Sequence, residues 1–111
     1  MLPKVNRLSA RQVADIMEKG RVIHSPLFIM RYITGTKDAR FSAIIPKKIG
    51  KTAVSRTIGR RKIYEAISAI PSYKKIESNV VLLAKPTMLT SDTDAINKDI
   101  HDLFVKAKIL V

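Results

Sequence analysis

A small two-layer α+β sandwich, in the order α-β-β-β-α-β-α, is the fold class predicted by this chain of 111 residues. Three observations carry it. Ile96, Ile100, Leu103, Phe104 and Ala107 fall at offsets 0, 4, 7, 8 and 11, which is one apolar stripe along a helix. Between Leu27 and Thr34 the residues alternate as in a strand, with Phe28, Met30 and Tyr32 on one face and Ile29, Arg31 and Ile33 on the other. The unbroken apolar run Val80 to Ala84 fits a strand buried on both faces.

The elements follow in chain order. Met1 to Leu8 reads as a basic arm. Ser9 caps a helix that runs to about Lys19, with Val13, Ile16 and Met17 on its buried face and Gly20 as its stop. Arg21 to His24 is a short strand, broken by Ser25-Pro26. After the strand Leu27–Thr34 comes a turn at Gly35 to Ala39, then a third strand, Arg40 to Ile45, ended by Pro46. Beyond the loop Lys47–Lys51, Thr52 caps a helix from Ala53 to about Ala69, whose second half buries Ile63, Ala66, Ile67 and Ile70. Gly59 in its middle costs about 1 kcal/mol relative to Ala, and it marks either a close approach by backbone or a partner's phosphate or a turn that is simply weak. We read it as weak. Ser91 and Asp94 form a capping box at the start of the last helix, with Asp99 and Asp102 on its solvated face.

Charge points to the partner. The chain carries 21 Lys and Arg against nine Asp and Glu, a net +12, and is 46% hydrophobic. Residues 1–64 hold fifteen basic and three acidic side chains, whereas residues 65–111 hold six of each, so all of the excess lies in the first part. Such asymmetry costs self-repulsion and implies a polyanionic partner, while the plentiful periodic apolar residues argue against disorder. The absence of Cys excludes a disulfide framework, a thiolate metal site and a cysteine nucleophile. With no apolar run long enough to cross a bilayer and no signal-peptide core at the start, a cytoplasmic protein is expected, and residues 1–111 read as a single RNA-binding domain.

Gly50-Lys51-Thr52 invites a nucleotide-binding reading, but a phosphate-cradling loop needs a Gly five positions earlier, where Ile45 stands. Asp92, Asp94, Asp99, His101 and Asp102 invite a metal-dependent nuclease reading; helix capping and a solvated face account for the carboxylates better. Neither His24 nor His101 has a partner at ligand or triad spacing, and nothing resembles a general acid–base pair. No catalytic residue and no protein-bound metal are expected. From Arg40 to Lys62, by contrast, there are eight positive side chains and no acid: Arg40, Lys47, Lys48, Lys51, Arg56, Arg60, Arg61 and Lys62. Arg56 and Arg60 stand one helical turn apart and face together, and the helix N-terminus adds N–H groups that favour an anion. Few aromatics and no major-groove motif favour a backbone-reading partner of a shaped RNA.

At this block the chain resembles the bacterial ribonuclease P protein subunit. The family's Lys-Lys-hydrophobic-Gly turn stands here as Lys47-Lys48-Ile49-Gly50, followed by Ala53-Val54 and a basic helix. Pro3-Lys4-Val5-Asn6-Arg7-Leu8, His24-Ser25-Pro26-Leu27-Phe28, Arg31-Tyr32 and the Val80–Ala84 strand with Lys85-Pro86 are also similar to that family. In the family's Arg-Asn-Arg core only Arg56 matches, Thr57 and Ile58 replacing the other two, and Val13 and Met17 stand where Phe is usual.

The resemblance implies a ribosomal-protein-like fold with a left-handed βαβ crossover, which the general handedness rule would not predict. It implies the protein subunit of an endoribonuclease that matures the 5′ end of tRNA, with hydrolysis done by a catalytic RNA and Mg²⁺ bound to that RNA. Lys47, Lys48, Lys51, Arg56, Arg60, Arg61 and Lys62 would bind the catalytic RNA. A cleft between the first helix and the strands carrying Tyr32 and Phe41 would hold the precursor tRNA leader, lined by Val13, Met17, Tyr32, Arg40 and Lys85. The protein would be a monomer within the ribonucleoprotein, without a membrane partner. The alternative reading is a ribosomal-type structural RNA-binding protein.

Overall fold

The computed structural model describes residues 2–110. Four strands, β1 (Arg21–His24), β2 (Phe28–Thr34), β3 (Arg40–Ile44) and β4 (Ser78–Ala84), form one sheet in the order β1-β2-β4-β3. Four helices accompany it: α1 (Ala10–Lys19), α2 (Ala53–Ser68), the single turn α3 (Pro86–Leu89) and α4 (Thr93–Lys106). β2 is antiparallel to both β1 and β4, with Phe28 opposite Ala84 and Thr34 opposite Ser78. β3 is parallel to β4, so the basic helix α2 is the crossover between two parallel neighbours. The predicted order of elements is the observed one.

Alternation divides the sheet into two faces. Phe28, Met30, Tyr32, Phe41, Ala43, Val80, Leu82 and Ala84 point inward and pack with Ile63 and Ile67 of α2 and Ile96, Ile100 and Phe104 of α4. Phe41 and Phe104 stack with ring centroids 6.0 Å apart. On the other face α1 lies across β2 and β4, held by the buried Ile16. That cover explains why Val81 is only 1% exposed although it points away from the main core. Burying a side chain of this size is worth about 1.5–3 kcal/mol, so α1 is anchored chiefly through Ile16.

Several expectations are corrected. Residues 2–8 are not a free arm: Leu2 is buried, Asn6 Nδ2 donates to the Ala39 carbonyl (2.8 Å), and the Leu8 N–H donates to the Phe41 carbonyl (3.0 Å). The physical reason is the open edge of β3, which needs a partner. Tyr64 closes the same edge, its hydroxyl oxygen accepting from the Ala43 N–H (3.1 Å). The N-cap of α4 is Asp92, which accepts from the Ala95 N–H (2.8 Å), while the Ser91 hydroxyl donates to the Thr87 carbonyl. Asp99 is not on the solvated face. Its carboxylate accepts from the Ser25 hydroxyl and the Leu27 N–H, tying α4 to the Ser25-Pro26 turn. Gly59 marks neither a backbone or phosphate approach nor a weak turn, because the Ile45 side chain fills the space its Cβ would occupy.

Candidate nucleic-acid interface

Of the cationic block, the residues from Lys47 to Lys62 fold together in one turn and the helix that follows it, while Arg40 begins β3 at the other end of that strand. Pro46 ends β3, and its carbonyl accepts from the N–H groups of Ile49 and Gly50, closing a tight turn that leaves Lys47, Lys48 and Lys51 exposed. Thr52 then starts α2 with a reciprocal cap: its hydroxyl accepts from the Ser55 N–H, and the Ser55 hydroxyl accepts from the Thr52 N–H. Gly50 is required by packing, since a Cβ there would stand 2.8 Å from both Arg56 Cγ and Ile45 Cγ2. The Gly50-Lys51-Thr52 stretch is thus a turn and a helix cap.

The arginines of α2 are not equivalent. Arg56 is half-buried and folds back to donate from Nη1 to the Gly50 carbonyl (2.8 Å), stapling the turn to the helix. Arg60 donates from Nη2 to the Thr57 hydroxyl (3.3 Å), and Arg61 is exposed on another side. Lys62 is half-buried beside Ile58, Met88 and Leu89. From Arg56 to Lys62 the helix rises roughly 9 Å, so four cations crowd within two turns. At positions 54 and 58 the same helix exposes the apolar side chains Val54 and Ile58.

The outer face of the sheet, under α1, is a second candidate surface. Ile29, Arg31 and Ile33 from β2, Asn79 and Leu83 from β4, and Arg40, Ser42 and Ile44 from β3 point toward it. Val13 and Met17 of α1 are half-buried there, and the Met17 carbonyl accepts from Arg31 Nη1 (3.0 Å). Arg40 sits at its rim, 3.6 Å from Asp38. Tyr32 does not belong to this surface. It pairs with Val80 on the core face and is buried, as is Phe41. Lys85 follows the end of β4 and donates to the Ser25 carbonyl (2.6 Å), so its ammonium is engaged in the fold. Arg31, Ser42 and Asn79 were missed at the sequence level, although the alternation that separates Tyr32 from Arg31 already marks Arg31 as the outward residue. Asn79 Oδ1 is buried without a hydrogen-bond partner among the described residues.

The carboxylates have structural uses. Asp92 caps α4, Asp99 holds the Ser25 turn, and Asp102 pairs with Lys98 at 3.1 Å. Among the described residues no three His, Cys, Asp or Glu side chains come together as ligands of one ion. His24 and His101 are both exposed.

The Ribonuclease P family profile matches residues 2–108. The chain belongs to that family. The "Ribonuclease P protein component" of Synechococcus elongatus is 26% identical over 98% of this chain and 95% of its own length. Among solved structures, the RNase P protein of Staphylococcus aureus superposes with a TM-score of 0.82 at 20% identity, covering 97% of this chain and all of that one. The RNase P protein of Thermotoga maritima gives 0.73 at 19% identity, covering 87% and 93%. These likenesses support the ribonuclease P fold over nearly the whole chain. Among the described residues no helix is long and apolar enough to cross a membrane.

Proposed function

We propose that this chain is the RNA-binding protein subunit of a ribonuclease P, acting as a single domain in the cytoplasm to assist 5′ maturation of precursor tRNA. The observation that carries this reading is the acid-free cationic end formed by Lys47, Lys48, Lys51, Arg56, Arg60, Arg61 and Lys62 in a family member. Ammonium and guanidinium groups clustered on a helix start and its preceding turn bind phosphates and release counterions, which suits a folded RNA read by shape. In this reading α2 and its turn dock on the catalytic RNA. The outer sheet face under α1 receives the 5′ leader, with Arg31 and Arg40 supplying charge and Val13, Met17 and Ile29 apolar contact.

Hydrolysis belongs to the RNA and the Mg²⁺ bound to it. The protein's carboxylates do not fit a Mg²⁺ cage, because Asp92, Asp99 and Asp102 are spread along α4 and each is engaged elsewhere in the fold. The test is reconstitution of the purified protein with a catalytic RNA and precursor tRNA. Stimulated cleavage at the mature 5′ end is expected. RNA binding without stimulation would support a structural ribosomal-type role instead, and cleavage by the protein alone would overturn the assignment of chemistry to the RNA.

A further inference from the structure

Beyond the other end of the sheet, past the C-terminal end of α2, lies a groove of about 650 Å³. Three separate stretches bring four lysines to it: Lys37 from the β2–β3 turn, Lys74 and Lys75 from the turn after α2, and Lys108 from the residue beyond α4's C-cap. All four are exposed, and Glu77 is the acid that lines the groove with them. Like charges gathered by the fold repel one another unless an anion lies between them.

The second observation is the backbone of Lys108. Its φ is +59°, the left-handed region, where non-glycine residues are uncommon. α4 ends in a Schellman motif, the Ile109 N–H reaching the Phe104 carbonyl and the Lys108 N–H the Val105 carbonyl. The default residue at this position is glycine, which adopts the conformation without steric cost. A lysine kept there carries a strain that glycine would relieve, and strain kept in place is a reason to look for function.

We propose that this groove is a second phosphate-binding site of the protein and that it takes a backbone segment of the catalytic RNA remote from the one docked on α2. The inference rests on the RNA-binding reading above. β4 spans roughly 20 Å from Ser78, which lines the groove, to Ala84. The Lys47–Lys51 turn leaves the sheet at the far end of β3, parallel to β4, so the two cation sets stand about that far apart. They lie beyond opposite ends of α2, whereas the surface assigned to the leader is across the sheet. The occupant is therefore the RNA subunit and not the precursor.

The test uses the full chain and the RNA subunit, with affinity measured against salt concentration and RNA protection mapped by hydroxyl radicals. Lys37→Gln/Lys74→Gln/Lys75→Gln should lower the log–log salt slope by about two to three, roughly one per phosphate contact, and weaken binding on the order of tenfold or more. Lys106→Gln, which removes one charge from α4 outside the groove, sets the baseline per charge and should shift the slope far less. Lys108→Gly should raise Tm by about 4 °C while weakening RNA binding, opposite signs that a merely structural lysine would not give. Protection lost in the triple variant should fall on a different stretch of the RNA subunit from that lost in Arg61→Ala. The inference is overturned if the triple variant shifts the slope no more per charge than Lys106→Gln, if Lys108→Gly keeps full affinity, or if the lost protection lies on precursor tRNA. If Arg61→Ala also leaves the slope unchanged, the RNA-binding reading of α2 falls with it.

Discussion

Gly59 lies directly over Ile45: a Cβ at position 59 would overlap the Cδ1 methyl of Ile45, with Leu89 Cδ2 3.5 Å away on the other side. The glycine is thus the seat of a core side chain in the middle of the RNA-facing helix. Helix propensity alone favours Gly59→Ala by about 1 kcal/mol. Overpacking a tight core typically costs 1–3 kcal/mol, and Ile45 is only 4% exposed, so the clash outweighs the gain. Gly59→Ala is expected to lower stability, by up to about 2 kcal/mol. Adding Ile45→Val removes the offending methyl, and the double variant should be more stable than the sum of the two single changes by about 1 kcal/mol. Urea unfolding of the four proteins reads this directly; strict additivity would show that the two residues do not compete for space.

The staple between Arg56 and the Gly50 carbonyl separates Arg56 from the other cations of α2. Arg56→Ala should lose stability by about 1–2 kcal/mol as well as RNA affinity, because the carbonyl loses its donor and the Lys47–Lys51 turn loosens. Arg61→Ala, at an exposed position, should lower the salt slope by about one with a stability change under about 0.5 kcal/mol. Thermal unfolding beside salt-dependent binding distinguishes the two. Equal stability of both variants would mean that the Arg56 bond contributes nothing to the fold.

Asp99 and Asp102 are three residues apart on α4 and look interchangeable, yet only Asp99 reaches across to Ser25 and Leu27. Asp99→Ala should destabilise by about 1–3 kcal/mol by releasing a half-buried hydroxyl and a backbone N–H. Asp102→Ala removes an exposed pair with Lys98 and should stay within about 0.5 kcal/mol. Comparable losses in the two variants would contradict the division of roles.

These pairs show where the sequence was legible and where it was not. Periodicity located α1, α2, α4, β2 and β3 because each buries one face, an unbroken apolar run located β4, and alternation separated Tyr32 from Arg31. What alternation does not reveal is which face meets the larger helix layer, so Tyr32 was assigned to the leader surface although it faces α2 and α4. The Asp99–Ser25 bond, the Ile45–Gly59 seat and the N-terminal segment along β3 join residues 14 to 74 positions apart or close an open edge. Local pattern contains no trace of such contacts; tertiary packing decides them. The cationic block was legible because charge is a composition property, but its division into a stapled Arg56 and a free Arg61 needed the turn at Pro46.

The outer sheet face has a composition that bears on the leader. With Tyr32 and Phe41 turned inward, its positions on β2, β3 and β4 carry Ile29, Arg31, Ile33, Arg40, Ser42, Ile44, Asn79, Val81 and Leu83 and no aromatic ring, and the register of β1 adds Val22 and, at the sheet edge, the small imidazole of His24. The half-buried α1 residues beside it, Val13 and Met17, supply no ring. Stacking one base on an aromatic side chain is worth about 1–3 kcal/mol, whereas Met offers only a softer sulfur contact. Discrimination between leader-bearing and mature tRNA should therefore rest mainly on charge, and Val13→Phe should raise it by roughly fivefold or more as a ring becomes available at the cleft wall. Arg40→Ala should lower it, because the exposed pair with Asp38 is weak and leaves the guanidinium available to a phosphate. The measurement is the ratio of affinities for precursor and mature tRNA in the reconstituted complex at fixed salt and Mg²⁺. A folded Val13→Phe protein with an unchanged ratio would move the leader away from α1. An Arg40→Ala protein with an unchanged ratio would move it away from the β3 rim.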